Sequence, residues 1–198
     1  MGSSPAALTP LFPTPHLART DHPGPPSPVR SITMTTRDTA WALTDLHHLG
    51  LTVSDIDRSI HFYRDLLGME LIGRRPSVTA GYVAQQTGYD EVELNVASFR
   101  VSPTCRQTME VVQYMNHVGE PAATETNRAG NSHLCLLVDD LRTAVSELTE
   151  AGVRFKSDPV EITAGPNKGG LVIYLLDPDG YTLELFQPPI ASTEKAPE

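Results

Sequence analysis

Residues 48–55 read His-Leu-Gly-Leu-Thr-Val-Ser-Asp, and residues 133–140 read His-Leu-Cys-Leu-Leu-Val-Asp-Asp. The two octets share a histidine, a valine five positions on and an aspartate seven positions on. Each is a short apolar run closed by acidic turn formers, which is the pattern of a strand. Self-similarity of this kind constrains the architecture before any single element is assigned. The residues after each octet extend the repeat. Ile60, Tyr63 and Leu67 stand at helical spacing after the first, with Ser54 and Asp57 as a capping box. Leu141, Ala144, Val145 and Leu148 do the same after the second, with Asp139 or Asp140 as N-cap. Gly68 and Gly152 stand where helix C-terminal glycines belong.

A second echo lies further along each half. Thr108-Met109-Glu110-Val111-Val112-Gln113 matches Thr182-Leu183-Glu184-Leu185-Phe186-Gln187, two predicted strands with glutamate in the middle. Further strand material precedes each: Val92 to Val96 alternates, and Leu171 to Leu176 is apolar and ends at the turn Asp177-Pro178-Asp179-Gly180. Each half is therefore predicted to be β-α-β-β-β, histidine on the first strand and glutamate on the last. The fold class is α+β, two modules (about 45–118 and 130–189) in a domain over 41–190. His48 and Glu110 are 62 residues apart, His133 and Glu184 only 51, so the first half carries an insertion within residues 76–105, around SVTAGYVAQQTGYDE. One such half has too little core to stand alone. Pairing two halves, from one chain or two, closes a cup.

The chain has 198 residues, 39% of them hydrophobic and 20% charged, enough for one globular domain. Fifteen Lys and Arg against 24 Asp and Glu leave a net charge of −9, which argues against a nucleic-acid partner. No apolar run approaches the ~18 residues of a membrane span. Residues 1–30 show no apolar core of a secretory signal. Two cysteines, Cys105 and Cys135, make neither a disulfide framework nor a thiolate-rich zinc site, so a cytoplasmic protein is expected. Eight of the 17 prolines fall within residues 1–30. Residues 1–40 read as a disordered extension, 191–198 as a frayed tail, and Met34 as a fresh start that would make 1–33 dispensable.

Histidine and glutamate inside apolar strands are costly unless paired or bound to a metal. Any one of them reads as a sheet residue facing water. His48, Glu110, His133 and Glu184, repeated in register, point instead to one divalent cation. Two imidazoles and two carboxylates suit Ni, Co, Mn, Fe or Zn, with open positions for a small-molecule substrate.

HLGLTVSDIDRSIHFYRDLLGMEL, TMEVVQY, SHLCLLVDDLRTAVSELTEAGVRF and LLDPDGYTLELFQP resemble the vicinal oxygen chelate superfamily over about residues 45–189. Glyoxalase I, methylmalonyl-CoA epimerase, cyclitol epimerases, extradiol dioxygenases, fosfomycin-resistance enzymes and bleomycin-binding proteins belong to it. The resemblance implies paired βαβββ modules, the glyoxalase/bleomycin-resistance/dioxygenase fold, with metal ligands at His48, Glu110, His133 and Glu184. Binding proteins of the family dispense with the ligands, and its dioxygenases use two histidines and one glutamate. The intact set is similar to that of the enolising members. It implies an epimerase or isomerase that removes and returns the α-proton of a small hydroxy ketone (cyclitol or sugar-like) or acyl thioester through an enediolate, Glu110 and Glu184 carrying the proton. Glyoxalase I-type lactoylglutathione lyase is the alternative, with a resistance-type binding protein or a ring-cleaving dioxygenase after it. The loop Gly165-Pro166-Asn167-Lys168-Gly169-Gly170 resembles the lyase, whereas Val111-Val112-Gln113-Tyr114 lacks the Asn-Trp-Gly that often comes just after the lyase's glutamate.

Lys168, Tyr114 and Asn116 are candidate substrate contacts. Cys135, two residues after His133, shares its strand face. His47 is expected to face away from His48, His61 to be solvated, Tyr82 and Tyr89 to pack, and Arg74 and Arg75 to be edge charges. Edge strands on each half imply a homodimer.

Overall fold

The computed structural model describes residues 40–190. Residues 1–39 of the expected 1–40 extension, Met34 among them, and the tail 191–198 lie outside the described residues. The chain divides after Leu43, and the modular fold begins at Thr44.

The first module runs β1 (His48–Thr52), α1 (Ile56–Ile60), β2 (Glu70–Val78), α2 (Gly81–Thr87), β3 (Leu94–Arg100) and β4 (Thr108–Tyr114). Its sheet has the order β1-β4-β3-β2. The second runs β5 (Leu134–Leu137), α3 (Leu141–Glu150), β6 (Arg154–Phe155), β7 (Val160–Glu161), β8 (Leu171–Leu176) and β9 (Thr182–Gln187), in the order β5-β9-β8-β6 with β7 also on β8. Two short strands thus take the place of β2. The first and last strands of each module, β1 with β4 and β5 with β9, run parallel. A parallel pair needs a crossover, and α1 or α3 supplies it.

The local chemistry explains the helix ends. Asp55 caps α1 by accepting from the backbone N–H groups of Asp57 and Arg58, and Asp140 caps α3 by accepting from that of Thr143. Ser54, expected in a capping box, is instead turned to Asp179 of the other module, its Oγ 2.5 Å from Oδ1. The glutamine closing each glutamate strand adds a second cap. Gln113 Oε1 accepts from Ile56 N at 3.3 Å, and Gln187 Oε1 from Leu141 N at 2.9 Å. Odd and even positions of one strand therefore do different work: glutamate faces one side of the sheet, and glutamine three residues on faces the helix. Beyond Ile60 the helix continues as a π-helical turn, His61–Leu66. Gly68 and Gly152, at φ +72° and +83°, end the helical segments.

The helix-side faces of both sheets share one core. Ala97, Phe99, Met109 and Val111 of the first module join Ile173, Leu175, Leu183 and Leu185 of the second in a single buried cluster. Each large apolar side chain there contributes roughly 1.5–3 kcal/mol. Tyr63, fully buried, donates to Asp177 Oδ2 at 3.0 Å across the seam, and Arg58 Nη2 lies 2.7 Å from Asp179 Oδ1. The opposite, cup-side faces carry His48 and Glu110 in one module, and His133 and Glu184 in the other.

The insertion has a structure of its own. α2 lies on the cup side of the first sheet, where Val83 packs with Val92, Leu94 and Val96. Ser77, Glu91 and His117 have φ of +51°, +51° and +55°, and they are the positive-φ non-glycine residues of the described chain. The first two flank the insertion, and His117 holds it through Nε2 and Asp90 O at 2.7 Å.

Candidate metal centre

Register brings the repeated residues together in pairs. In the second module Cys135 lies opposite Glu184 on the parallel neighbour, and His133 is two residues earlier on the same face. His133 Nε2 is 3.0 Å from Glu184 Oε2, with side-chain exposures of 42% and 17%. Two ligands at about 2.1 Å from one metal, at a right angle, stand about 3.0 Å apart, so this pair fits a shared cation. In the first module Gly50 lies opposite Glu110, and His48 is again two residues earlier. The register of the two copies is the same. Their environments are not. A Cβ on Gly50 would meet nothing within 4 Å, whereas Cys135 carries a thiol at the matching place. His48 Nδ1 lies 2.7 Å from Nδ1 of His47, so His47 is beside the candidate ligand rather than turned from it.

Among the described residues no group of three or more His, Cys, Asp or Glu side chains gathers where one cation could be held. Modules that share their helix sides turn their cup faces apart. One chain thus presents two half-sets, each of one imidazole and one carboxylate.

Glu184 sits between His133, Tyr174 and Cys135. The His133 and Tyr174 rings are 5.2 Å apart. Burial, reinforced by the negative charge of Glu184, pushes the Tyr174 phenol above its usual range and the Cys135 thiol up to about 11. Neither group is therefore ionised near neutrality. On the same face Lys156 Nζ is 3.1 Å from Thr182 Oγ1 and 6.0 Å from the Tyr174 ring centre.

Glu110 has different partners. Arg75 Nη2 and Ser98 Oγ each lie 3.0 Å from its Oε1. Arg74, the other expected edge charge, pairs with Asp57 of α1 at 2.7 Å on the opposite face. The split has a backbone cause. Leu71 pairs with Phe99 but Gly73 with Ser98, so Ile72 is an extra residue, a bulge. Beyond a bulge every side chain changes face. Arg75 is thereby opposite Val96 on the cup side and Arg74 opposite Ala97 on the helix side.

The candidate substrate contacts are dispersed. Tyr114 packs in the cluster beneath α2 and meets the Tyr89 ring edge-on at 6.0 Å. Asn116 accepts from Glu93 N at 2.8 Å and donates to Glu91 O, committing its amide to the backbone that ends the insertion. Lys168 is exposed in its loop, where its N–H donates to Gly165 O at 3.3 Å. A groove of about 390 Å³ lies elsewhere, between residues 65–69 and α3, lined by Leu67, Met69, Leu136, Ala144 and Leu148 and by none of the four candidate ligands. Arg75, Ser98, Tyr174 and Lys156 do not stand out as site residues in the sequence. Strand alternation exposes Ser98 and Tyr174 to such a search, since each is paired directly with a candidate glutamate; nothing local reveals Arg75.

Two paired βαβββ modules each carry a histidine and a glutamate on adjacent parallel strands. The chain belongs to the Glyoxalase/Bleomycin resistance protein/Dioxygenase superfamily, whose model matches residues 45–185. It is 29% identical over 147 residues to a 2-epi-5-epi-valiolone epimerase of Actinomyces sp., covering 73% of this chain and 79% of that one. It is 29% identical over 142 residues to a lactoylglutathione lyase of Haemophilus influenzae, covering 71% and 90%. A glyoxalase family protein from Bacillus cereus has the same fold, with a TM-score of 0.66 at 19% identity over 76% of this chain and 98% of that one. No helix among the described residues is long and apolar enough to cross a membrane.

Proposed function

We propose that this protein is a metal-dependent isomerase that removes and returns the α-proton of a small hydroxy ketone, cyclitol- or sugar-like, or of an acyl thioester. The observation that carries the reading is the His133–Glu184 contact at 3.0 Å, whose strand register is repeated by His48 and Glu110. A divalent cation held by these four residues, of the class Ni, Co, Mn, Fe or Zn, would polarise the substrate carbonyl as a Lewis acid. The chain's own carboxylates handle the proton. One takes it as general base and the other, from a different module, returns it; return to the opposite face of the carbon is epimerisation.

The four ligands belong to two half-sets, so the complete site is formed by two copies of the chain. β1 and β5 are the outer strands of their sheets, each with one unpaired edge. Joining those edges between copies would set a His48–Glu110 half beside a His133–Glu184 half and remove both edges. A homodimer with a small-molecule substrate is the proposed working form.

Lactoylglutathione lyase is the second reading, favoured by the relative of that name and by the Gly165–Gly170 loop, with φ of +78° at Gly165 and +88° at Gly169. Both readings are separated by deuterium wash-in from D₂O across hydroxy ketones, acyl thioesters and hemithioacetals. Epimerisation predicts exchange at the α-carbon with the skeleton unchanged; the lyase predicts conversion of the hemithioacetal of glutathione. In either case Glu184→Gln and Glu110→Gln each lower the rate by about 10² or more. Full exchange surviving in both variants would defeat the assignment of the carboxylates.

A further inference from the structure

Glu110 is held unlike Glu184. Its Oε1 receives two donors, the Arg75 guanidinium and the Ser98 hydroxyl, both at 3.0 Å. Among the described residues no hydrogen-bond donor reaches its Oε2. A carboxylate pinned at one oxygen by two donors can rotate little about its last bond, and the other oxygen is presented as a single lone-pair donor. Glu184 Oε2, in contrast, is engaged by His133, itself a candidate ligand. The Ile72 bulge is what delivers Arg75 to this face, and Arg75 remains half exposed at 54%.

We propose that Arg75, together with Ser98, is a positioning residue that makes Glu110 a fixed, one-oxygen metal ligand. This role rests on the metal-dependent reading and extends it to residues outside the ligand set. Charge balance points the same way. Two carboxylates neutralise a divalent cation, and the enolised substrate brings a further negative charge. Arg75 offsets that charge from behind the ligand, where its pairing with Glu110 keeps it in place.

The test uses full-length protein titrated with Co²⁺, read by competition with a chromophoric chelator and by the visible spectrum of the bound ion. Arg75→Met is expected to weaken Co²⁺ binding by about 10–100-fold and to shift the spectrum, Ser98→Ala to do so less, and Arg75→Lys to recover part of the loss. Melting without metal stays within a few degrees of wild type, because a half-exposed ion pair contributes little to folding. In a Glu110→Gln background Arg75→Met adds nothing. Wild-type affinity and spectrum in both Arg75→Met and Ser98→Ala, with the parent protein binding Co²⁺, would overturn the positioning role while sparing the metal-dependent reading. A parent protein that binds no divalent ion would overturn both.

Discussion

Asp177 is the residue on which the two modules meet. It is 1% exposed, accepts from the backbone N–H groups of Asp179 and Tyr181 through Oδ1, and from Tyr63 through Oδ2. Burial holds its carboxyl above the ordinary value of 3.8, in spite of those three donors. A raised carboxyl favours the neutral form in the folded state, so its contribution is most favourable below 3.8 and declines as pH rises through the folded value. Asp177→Asn keeps the Oδ1 contacts and puts an N–H donor opposite the Tyr63 oxygen. Relative to wild type, this variant is expected to gain stability as pH goes from about 4 to 7, measured by urea unfolding at each pH. Tyr63→Phe leaves the buried Oδ2 short of a donor and costs about 1–3 kcal/mol in the same assay. Burial also pushes the Tyr63 phenol far above its usual range, so its proton stays on the donor side of the bond.

At the scale of elements, each module closes its crossover helix in the same way, with an aspartate at the N-cap and a strand glutamine behind it. Asp140→Ala removes the side-chain acceptor for Thr143 N and is expected to lower the urea unfolding midpoint at neutral pH. Hydrogen bonding to the Thr143 backbone holds the Asp140 carboxyl below the ordinary value of 3.8. That contribution is therefore complete above about pH 4 and lost as pH falls through the lower, folded value; the variant and wild type converge in acid. Gly170 is a second control point. A Cβ there would lie 2.8 Å from Gln187 O and 2.9 Å from Phe186 Cε2. Gly170→Ala must therefore displace the end of β9, and with it the Gln187 cap of α3. The sequence periodicities foretell these elements because they are local: alternation for strands, 3.6 spacing for helices, and aspartate or glycine at the ends. They do not reveal that α2 folds back over the cup, since its only buried side chain, Val83, is too little to announce a helix.

For the whole molecule the central expectation concerns assembly. His48→Ala combined with Glu110→Gln disables one half-set, and His133→Ala combined with Glu184→Gln disables the other. Each double variant alone is expected to be inactive and to bind metal poorly. If the site joins halves of two chains, mixing the two after unfolding together and refolding restores about a quarter of wild-type activity, because half the dimers are mixed and each has one intact site. No recovery on mixing, with dimers confirmed by light scattering, rules out the shared site.

The amino-acid sequence by itself determined the repeat, the two βαβββ modules, the parity that puts each histidine and glutamate on one face, and the aspartate cap of α3. All of these come from spacing along the chain, which local backbone geometry converts directly into direction. Tertiary structure alone decided two things. The Ile72 bulge exchanged Arg74 and Arg75 between the faces of β2, because register depends on how one strand pairs with its neighbour. The shared helix-side core turned the cup faces apart, because burying the largest apolar surface takes precedence over gathering four polar side chains, and that left each chain with two half-sets.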